Sequence, residues 1–147
     1  MSQYPFERFS EHARRALFCA QQEAEDANVA HIGTEHLLLG LFRVGAGSGW
    51  RALRALGVDE LKVRAEIDRL HGNRRTLANP WPTKGTKRAV EGAFQQSSRR
   101  GDTVVHTGDL LAGIVQVADG TAAHVLQKLW FERSTVVAAA DREIQRG

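Results

Sequence analysis

The residues best suited to chemistry gather in His31-Ile32-Gly33-Thr34-Glu35-His36, which runs directly into Leu37-Leu38-Leu39-Gly40-Leu41. Glu35 offers a carboxylate that can pair with a cation. Thr34 suits a helix N-cap, because its hydroxyl accepts a backbone N–H that the first turn leaves unpaired. An acid in a first turn also has a plain structural use, worth about 0.3–1 kcal/mol against the macrodipole. A worn copy follows 73 positions later as Val104-Val105-His106-Thr107-Gly108-Asp109-Leu110-Leu111-Ala112-Gly113-Ile114. It has Gly108 in place of the glutamate and Asp109 one residue further on. One residue is a turn of about 100° on a helix, so Asp109 is expected to point elsewhere. The apolar run behind each threonine is hydrophobic on every side and reads as a buried helix. Its polar tip is expected to stay within reach of solvent or a partner.

Other chemistries are excluded by residue type and spacing. Six histidines are present, at 12, 31, 36, 71, 106 and 124, but they form no His-x-x-x-His pair and no Cys/His cluster. No metal site and no cofactor is therefore expected. His36 is placed close to the buried cap. The lone cysteine, Cys19, falls inside a helical pattern and reads as a small core filler. Neither it nor any serine has a recognisable base and orienting group, so the chain reads as non-enzymatic. A Gly-x-x-x-x-Gly-Lys-[Ser/Thr] phosphate loop is missing, which excludes that mode of ATP binding.

Composition narrows the class further. With 42% hydrophobic and 25% charged residues, the 147-residue chain is ordinary for a globular protein. It has no apolar stretch approaching the roughly 18 residues of a membrane span, and the polar start Met1-Ser2-Gln3-Tyr4 does not read as a secretory signal, so no membrane partner is expected. One cysteine cannot form an internal disulfide, which suits a cytoplasmic location. The net charge is +3, but acids are interleaved with the arginines. The densest basic runs, Asn73-Arg74-Arg75 and Arg99-Arg100, read as solvated ends, so nucleic acid is the least favoured partner.

The elements that must position these residues follow from an internal repeat. An offset of 73 aligns Ser10 with Thr83, Arg15-Ala16 with Arg88-Ala89, Thr34 with Thr107, Leu37-Leu38 with Leu110-Leu111 and Gly40 with Gly113. It continues through Gly47 and Gly120, Leu53 and Leu126, and Asp68-Arg69 and Asp141-Arg142 without a gap. Each copy reads as four helices by its three- and four-residue apolar spacing. The first copy gives 10–28, 34–44, 50–56 and 59–70; the second gives 83–99, 107–117, 120–129 and 132–145. Nothing alternates with a period of two, so no sheet is expected. The fold is predicted to be all-α: eight helices as two pseudo-symmetric four-helix repeats. The whole of 1–147 reads as one domain, with a first repeat 9–71, a linker 72–82 and a second repeat 83–145. Pro80 and Pro82 exclude continuous helix in that linker.

Phe9-Ser10-Glu11, Ala16-Leu17, Ala20 and Glu23-Ala24, followed by Ile32-Gly33-Thr34-Glu35-His36-Leu37-Leu38-Leu39-Gly40-Leu41, resemble the double Clp repeat. That domain forms the amino-terminal part of Clp/Hsp100 unfoldases, and this copy is nearest the ClpC type. Arg43, Gly45, Gly47, Ala52-Leu53 and Leu56-Gly57-Val58 extend the likeness. The resemblance implies a docking module that receives protein substrates and adaptor proteins for a Clp ATPase and peptidase ring. It also implies phosphoarginine recognition. In such domains a glutamate of the Gly-Thr-Glu run holds the guanidinium, and a Ser/Thr opening the repeat's first helix helps to hold the phosphate. Carried over, the first pocket would use Ser10, Gly33, Thr34 and Glu35. A degenerate second pocket would use Thr83, Thr107, Gly108 and Asp109.

The chemistry of the first set agrees. A carboxylate matches a guanidinium through two parallel charge-assisted hydrogen bonds, and a helix N-terminus offers N–H groups to a phosphate. A charge-assisted pair contributes on the order of 1.5–3 kcal/mol, so only the first repeat is expected to bind phosphoarginine well. Phe6 and Trp81 are expected to form an apolar peptide patch. The resemblance also implies a region near the first helix and linker that cyclic peptide antibiotics occupy. The alternative reading is a free-standing regulator or decoy that sequesters such a peptide or an adaptor.

Overall fold

The computed structural model describes residues 6–72 and 80–147. A short 3-10 turn at Phe6–Arg8 leads into α1 (Glu11–Asp26), a two-residue strand β1 (His31–Ile32), α2 (Thr34–Val44), α3 (Ser48–Leu56) and α4 (Glu60–His71). The second half gives β2 (Trp81–Pro82), α5 (Lys84–Arg99), α6 (Thr107–Gln116), α7 (Thr121–Lys128) and α8 (Arg133–Arg146). Eight α-helices are thus present among the described residues, in the order read from sequence. The part of the expected linker at 73–79 lies outside the described residues.

The absence of sheet needs a small correction. β1 and β2 pair in parallel, His31 opposite Trp81 and Ile32 opposite Pro82, and an isolated parallel bridge joins Phe9 to Val105. These pairings have a physical cause. The segments that enter the buried helix starts carry backbone groups with no helical partner, and pairing satisfies them.

The two pairings are the same contact repeated. Thr83 N–H donates to the Ile32 carbonyl at 3.1 Å, and Ser10 N–H donates to the Val105 carbonyl at 2.9 Å. Both donor and acceptor shift by 73 positions, so a pseudo-twofold relates the halves and crosses their entry segments. The start of each repeat's first helix is tied to the other repeat's central loop.

Sequence dictates the core as well. Ala13, Ala16, Ala20 and Ala24 make a stripe of small residues on α1 that is wholly buried. Gly40 of α2 faces that stripe, where a Cβ would collide with the Ala16 carbonyl oxygen. Gly113 of α6 meets the Ala89 carbonyl of α5 in the same way. Only hydrogen at these two positions lets the helix axes come so close. α2 and α6 are consequently enclosed on all sides, with every residue but one in α2 and all but Gln116 in α6 buried.

The expected caps on these two helices differ from what is found. Ser10, Asp59 and Thr83 do cap their helices, accepting the N–H groups of Ala13, of Leu61 and Lys62, and of Thr86. Gly33 and His106, however, take the N-cap positions of α2 and α6, which leaves Thr34 and Thr107 as the first helical residues. Their hydroxyls reach across instead. Thr34 Oγ1 accepts Ala122 N–H of α7 at 3.1 Å, and Thr107 Oγ1 accepts Gly49 N–H of α3 at 2.9 Å. Each threonine therefore stitches one repeat to the other.

Candidate functional site

Glu35 enters the site from the first turn of α2, and its side chain folds back over the helix start. Its Oε1 lies where a Cβ on residue 33 would stand, so glycine there leaves the carboxylate its place and a larger residue would displace it. The tip of α2 is not presented to solvent as expected: Thr34 and Glu35 are each 2% exposed and His36 is 1% exposed. Three imidazoles enclose the carboxylate. His31 Nε2 donates to Glu35 Oε2 at 3.0 Å, and His71 Nε2 donates to the same oxygen at 2.7 Å. The rings of His31, His36 and His71 form a nearly equilateral triangle, with centroids 5.3, 5.5 and 5.7 Å apart.

Each element brings its part for a local reason. β1 carries His31 and is fixed by its pairing with Trp81. His36 is the third residue of α2, and its Nδ1 accepts Gly33 N–H at 3.0 Å, which satisfies one orphan donor of the helix start. His71 ends α4, beyond which Gly72 turns the chain away at φ 62°. Burial alone would raise the Glu35 carboxyl, but the bonds from His31 and His71 outweigh it and hold the group well below the usual carboxylate range. The bond to Glu35 raises His31 above an ordinary imidazole, while burial pushes His36 down to about 4.

A cleft of about 340 Å³ opens beside this cluster. Glu35 and Thr34 line one wall, and the start of α5 with Thr83, Lys84 and Arg88 lines the other. The cleft therefore holds two acids, Glu35 and Asp119, two cationic side chains and the N-terminus of α5, and Arg88 pairs with Asp119 at 3.4 Å.

This arrangement regroups the residues expected from sequence. Thr34, Gly33 and Glu35 do come together, but the hydroxyl residue that joins them is Thr83. Ser10 belongs to the other pairing, beside Val105. The crossed entry segments are the reason, since repeat boundaries read along the chain group Ser10 with Thr34.

Thr83 aside, the second set is closed: Thr107, Gly108 and Asp109 are all buried. Asp109 is 0% exposed and accepts two bonds from the Arg100 guanidinium, at 2.7 and 2.8 Å. Its Oδ2 also accepts His106 N–H at 2.9 Å, the task that His36 performs in the first repeat. A side chain at 108 has no room, because a Cβ there would stand 2.7 Å from Ile144 Cγ1 and 2.8 Å from Ser48 Oγ. Phe6 and Trp81 are both exposed but sit on different pairings. Phe6 packs edge-on to Phe9 at 5.9 Å, while Trp81 lies opposite His31.

Sequence reasoning missed the histidine cluster. Its one local trace is the four-residue spacing of His31 and Glu35; His71 arrives from 36 residues beyond Glu35.

A crossed pair of four-helix repeats with an acidic residue folded under a Gly-Thr-Glu helix start defines a class. The family model for the Clp repeat (R) N-terminal domain matches residues 8–129, and the chain belongs to that family. It is 36% identical over 125 residues to the negative regulator of genetic competence ClpC/MecB of Bacillus subtilis, covering 84% of this chain and 15% of that protein. Similarity to the chaperone protein ClpB of Oceanobacillus iheyensis is 35% over 125 residues, covering 84% of this chain and 16% of that one. The chain thus spans about one-sixth of the length of these curated relatives. Among solved structures, the N-terminal domain of ClpD from Arabidopsis thaliana superposes with a TM-score of 0.81 at 25% identity, covering 99% of both chains. The Hsp104 N-terminal domain of Candida albicans shares the fold at a TM-score of 0.74 and 12% identity, covering 90% of this chain and 88% of that one. Among the described residues, no helix is long and apolar enough to cross a membrane.

Proposed function

We propose that the chain is a non-catalytic docking domain that receives protein substrates or adaptor proteins for a Clp ATPase ring, and that its first cleft takes an arginine-phosphorylated segment. The observation that carries this reading is the pairing of opposite charges across one opening. Glu35 offers a carboxylate for a guanidinium on one wall. On the other, the start of α5 offers backbone N–H groups, the Thr83 hydroxyl and the Lys84 side chain for a phosphate, with Arg88, which pairs with Asp119, beside them. The ligand guanidinium exchanges with His31 and His71 for Glu35 Oε2. Family membership supports the docking role, and the closed second site supports one ligand per chain.

Calorimetric titration with a phosphoarginyl peptide tests the reading. One peptide binds per chain, and Glu35→Gln weakens it ten- to hundredfold, in line with about 1.5–3 kcal/mol for a charge-assisted pair. Ser10→Ala leaves the affinity alone, since that residue sits on the other pairing. Equal binding by the wild type and Glu35→Gln removes phosphoarginine from this cleft.

A further inference from the structure

The three imidazoles around Glu35 exceed what a docking cleft needs. His31, Glu35, His36 and His71 each direct one potential ligand atom into a region where all lie within 4.8 Å of one another. His36 Nε2 is buried and has no hydrogen-bond partner. From this geometry we infer a binding site for a divalent transition metal of the zinc class, ligated by His31 Nε2, His71 Nε2 and the Glu35 carboxylate. Two imidazoles and one carboxylate are a set that zinc accepts, with a fourth position left open.

Roles follow from the hydrogen bonds already in place. His36 Nδ1 accepts the Gly33 amide, so a neutral His36 carries its proton on Nε2 and is left out of the ligand set. His31 and His71 make no such commitment: each spends Nε2 on Glu35 Oε2. A cation between them replaces those two N–H groups, and each ring moves its proton to Nδ1. The donors now stand 3.0 and 2.7 Å from Oε2. Tetrahedral zinc with bonds of about 2.0–2.1 Å sets its ligands about 3.3 Å apart, so outward shifts of roughly half an ångström bring these two separations to that value. Both rings have that freedom. His31 is half-exposed on a two-residue strand, and His71 is the last residue of α4. His31 and Glu35 also line the cleft, which gives the open coordination position a route to solvent.

The second repeat provides a natural negative. The positions 73 residues on from His31, Glu35, His36 and His71 are Val104, Gly108, Asp109 and Ile144, which retain no imidazole. Ile144 packs against Gly108 just as His71 meets Glu35. One metal per chain is therefore required, and changing a ligand to its counterpart gives a variant the fold already tolerates.

The test is calorimetric titration of the metal-free 147-residue chain with zinc chloride at neutral pH, read beside the ring resonances of the histidines. One zinc binds per chain, and the His31 and His71 resonances move while that of exposed His124 does not. His71→Ile and His31→Val each lower the affinity at least tenfold, and His124→Ala leaves it unchanged. These variants keep the test valid should Glu35→Gln fail to fold. Absence of a stoichiometric heat, or undiminished zinc affinity in His71→Ile, overturns the site. Peptide docking does not share this outcome, because the titration contains no peptide.

Discussion

Trp130 holds the left-handed backbone conformation that Gly57 holds in the other repeat, with φ of 73° against 76°. The two residues are 73 positions apart; Gly57 directly follows α3, and Trp130 follows α7 after Leu129. Glycine adopts that conformation freely; a residue with a Cβ pays roughly 1–2 kcal/mol for it. Asn28 and Gly101 form a second pair of this kind, at φ 56° and 80°. There the first repeat carries the side chain, and asparagine tolerates the region better than tryptophan does.

Trp130 is 92% exposed, so little packing offsets its strain. Trp130→Gly is expected to stabilise the chain by about 0.5–1 kcal/mol, the strain relieved less the extra freedom glycine gives the unfolded state. Thermal denaturation checks this. A lower melting temperature for the variant would mean that contacts of the indole hold the turn.

The closest helix approaches give the opposite sign. Gly40→Ala drives a methyl into the Ala16 carbonyl, and Gly113→Ala does the same at Ala89. Backbone on the receiving side cannot swing away as a side chain would, so each change is expected to cost about 1–3 kcal/mol or more. Denaturant unfolding of both variants measures it. The control is Gly57→Ala, where no atom stands within 4 Å of the added Cβ and only the φ penalty remains. A Gly40→Ala loss no larger than that control would mean that α1 and α2 slide apart freely.

Periodicity and the 73-residue offset made the helices legible, and α2 runs over Thr34–Val44 as its apolar run and flanking threonine and glycine imply. The crossing of the halves was not legible. Spacing along the chain cannot say whether Ser10 or Thr83 faces Glu35, because both stand at the same place in equivalent repeats. Long-range pairing decides it, through Ile32 with Pro82 and Phe9 with Val105. His71 escaped for a related reason. A helix-end histidine carries no pattern of its own, and it gains meaning only where α4 returns its last residue to the start of α2.

Acid should loosen the first repeat at a definable carboxylate. Glu23 of α1 accepts both terminal nitrogens of Arg64 of α4, at 2.8 and 2.9 Å, and one nitrogen of Arg43 at 3.3 Å. The Arg64 hydrogen bonds, against burial that would raise it, hold the Glu23 carboxyl below its ordinary value of 4.5. In the unfolded chain the group takes up its proton near that ordinary value. The stabilisation is therefore fully present above pH 4.5 and is lost as the pH falls through the lower folded value. Arg64 is about one-third exposed, so solvent screening limits the contribution to roughly 1 kcal/mol. Arg64→Ala is expected to lose about that much at neutral pH and nothing in strong acid. Urea titrations at both extremes read the difference, and an equal loss at both would exclude this ion pair as the cause.

Arg100 gives the second repeat an internal answer to the question the first repeat leaves open. Its guanidinium lies in bidentate contact with a carboxylate at the third position of α6, and that carboxylate is wholly buried. Geometry of this sort satisfies the acid from within the chain, so a foreign guanidinium would have to displace a tethered one. Removing the arginine leaves the buried Asp109 carboxylate without its cation, and breaking a buried pair in this way costs about 3–5 kcal/mol. Arg100 is itself partly exposed, which lets water reach the gap and favours the lower end of that range. Asn replaces the acid with a group of the same shape and no charge, so the double variant Arg100→Ala with Asp109→Asn should recover part of the loss. Chemical denaturation of the single and double variants tests this. A double variant no more stable than Arg100→Ala alone would show that packing, rather than the unpaired charge, sets the cost.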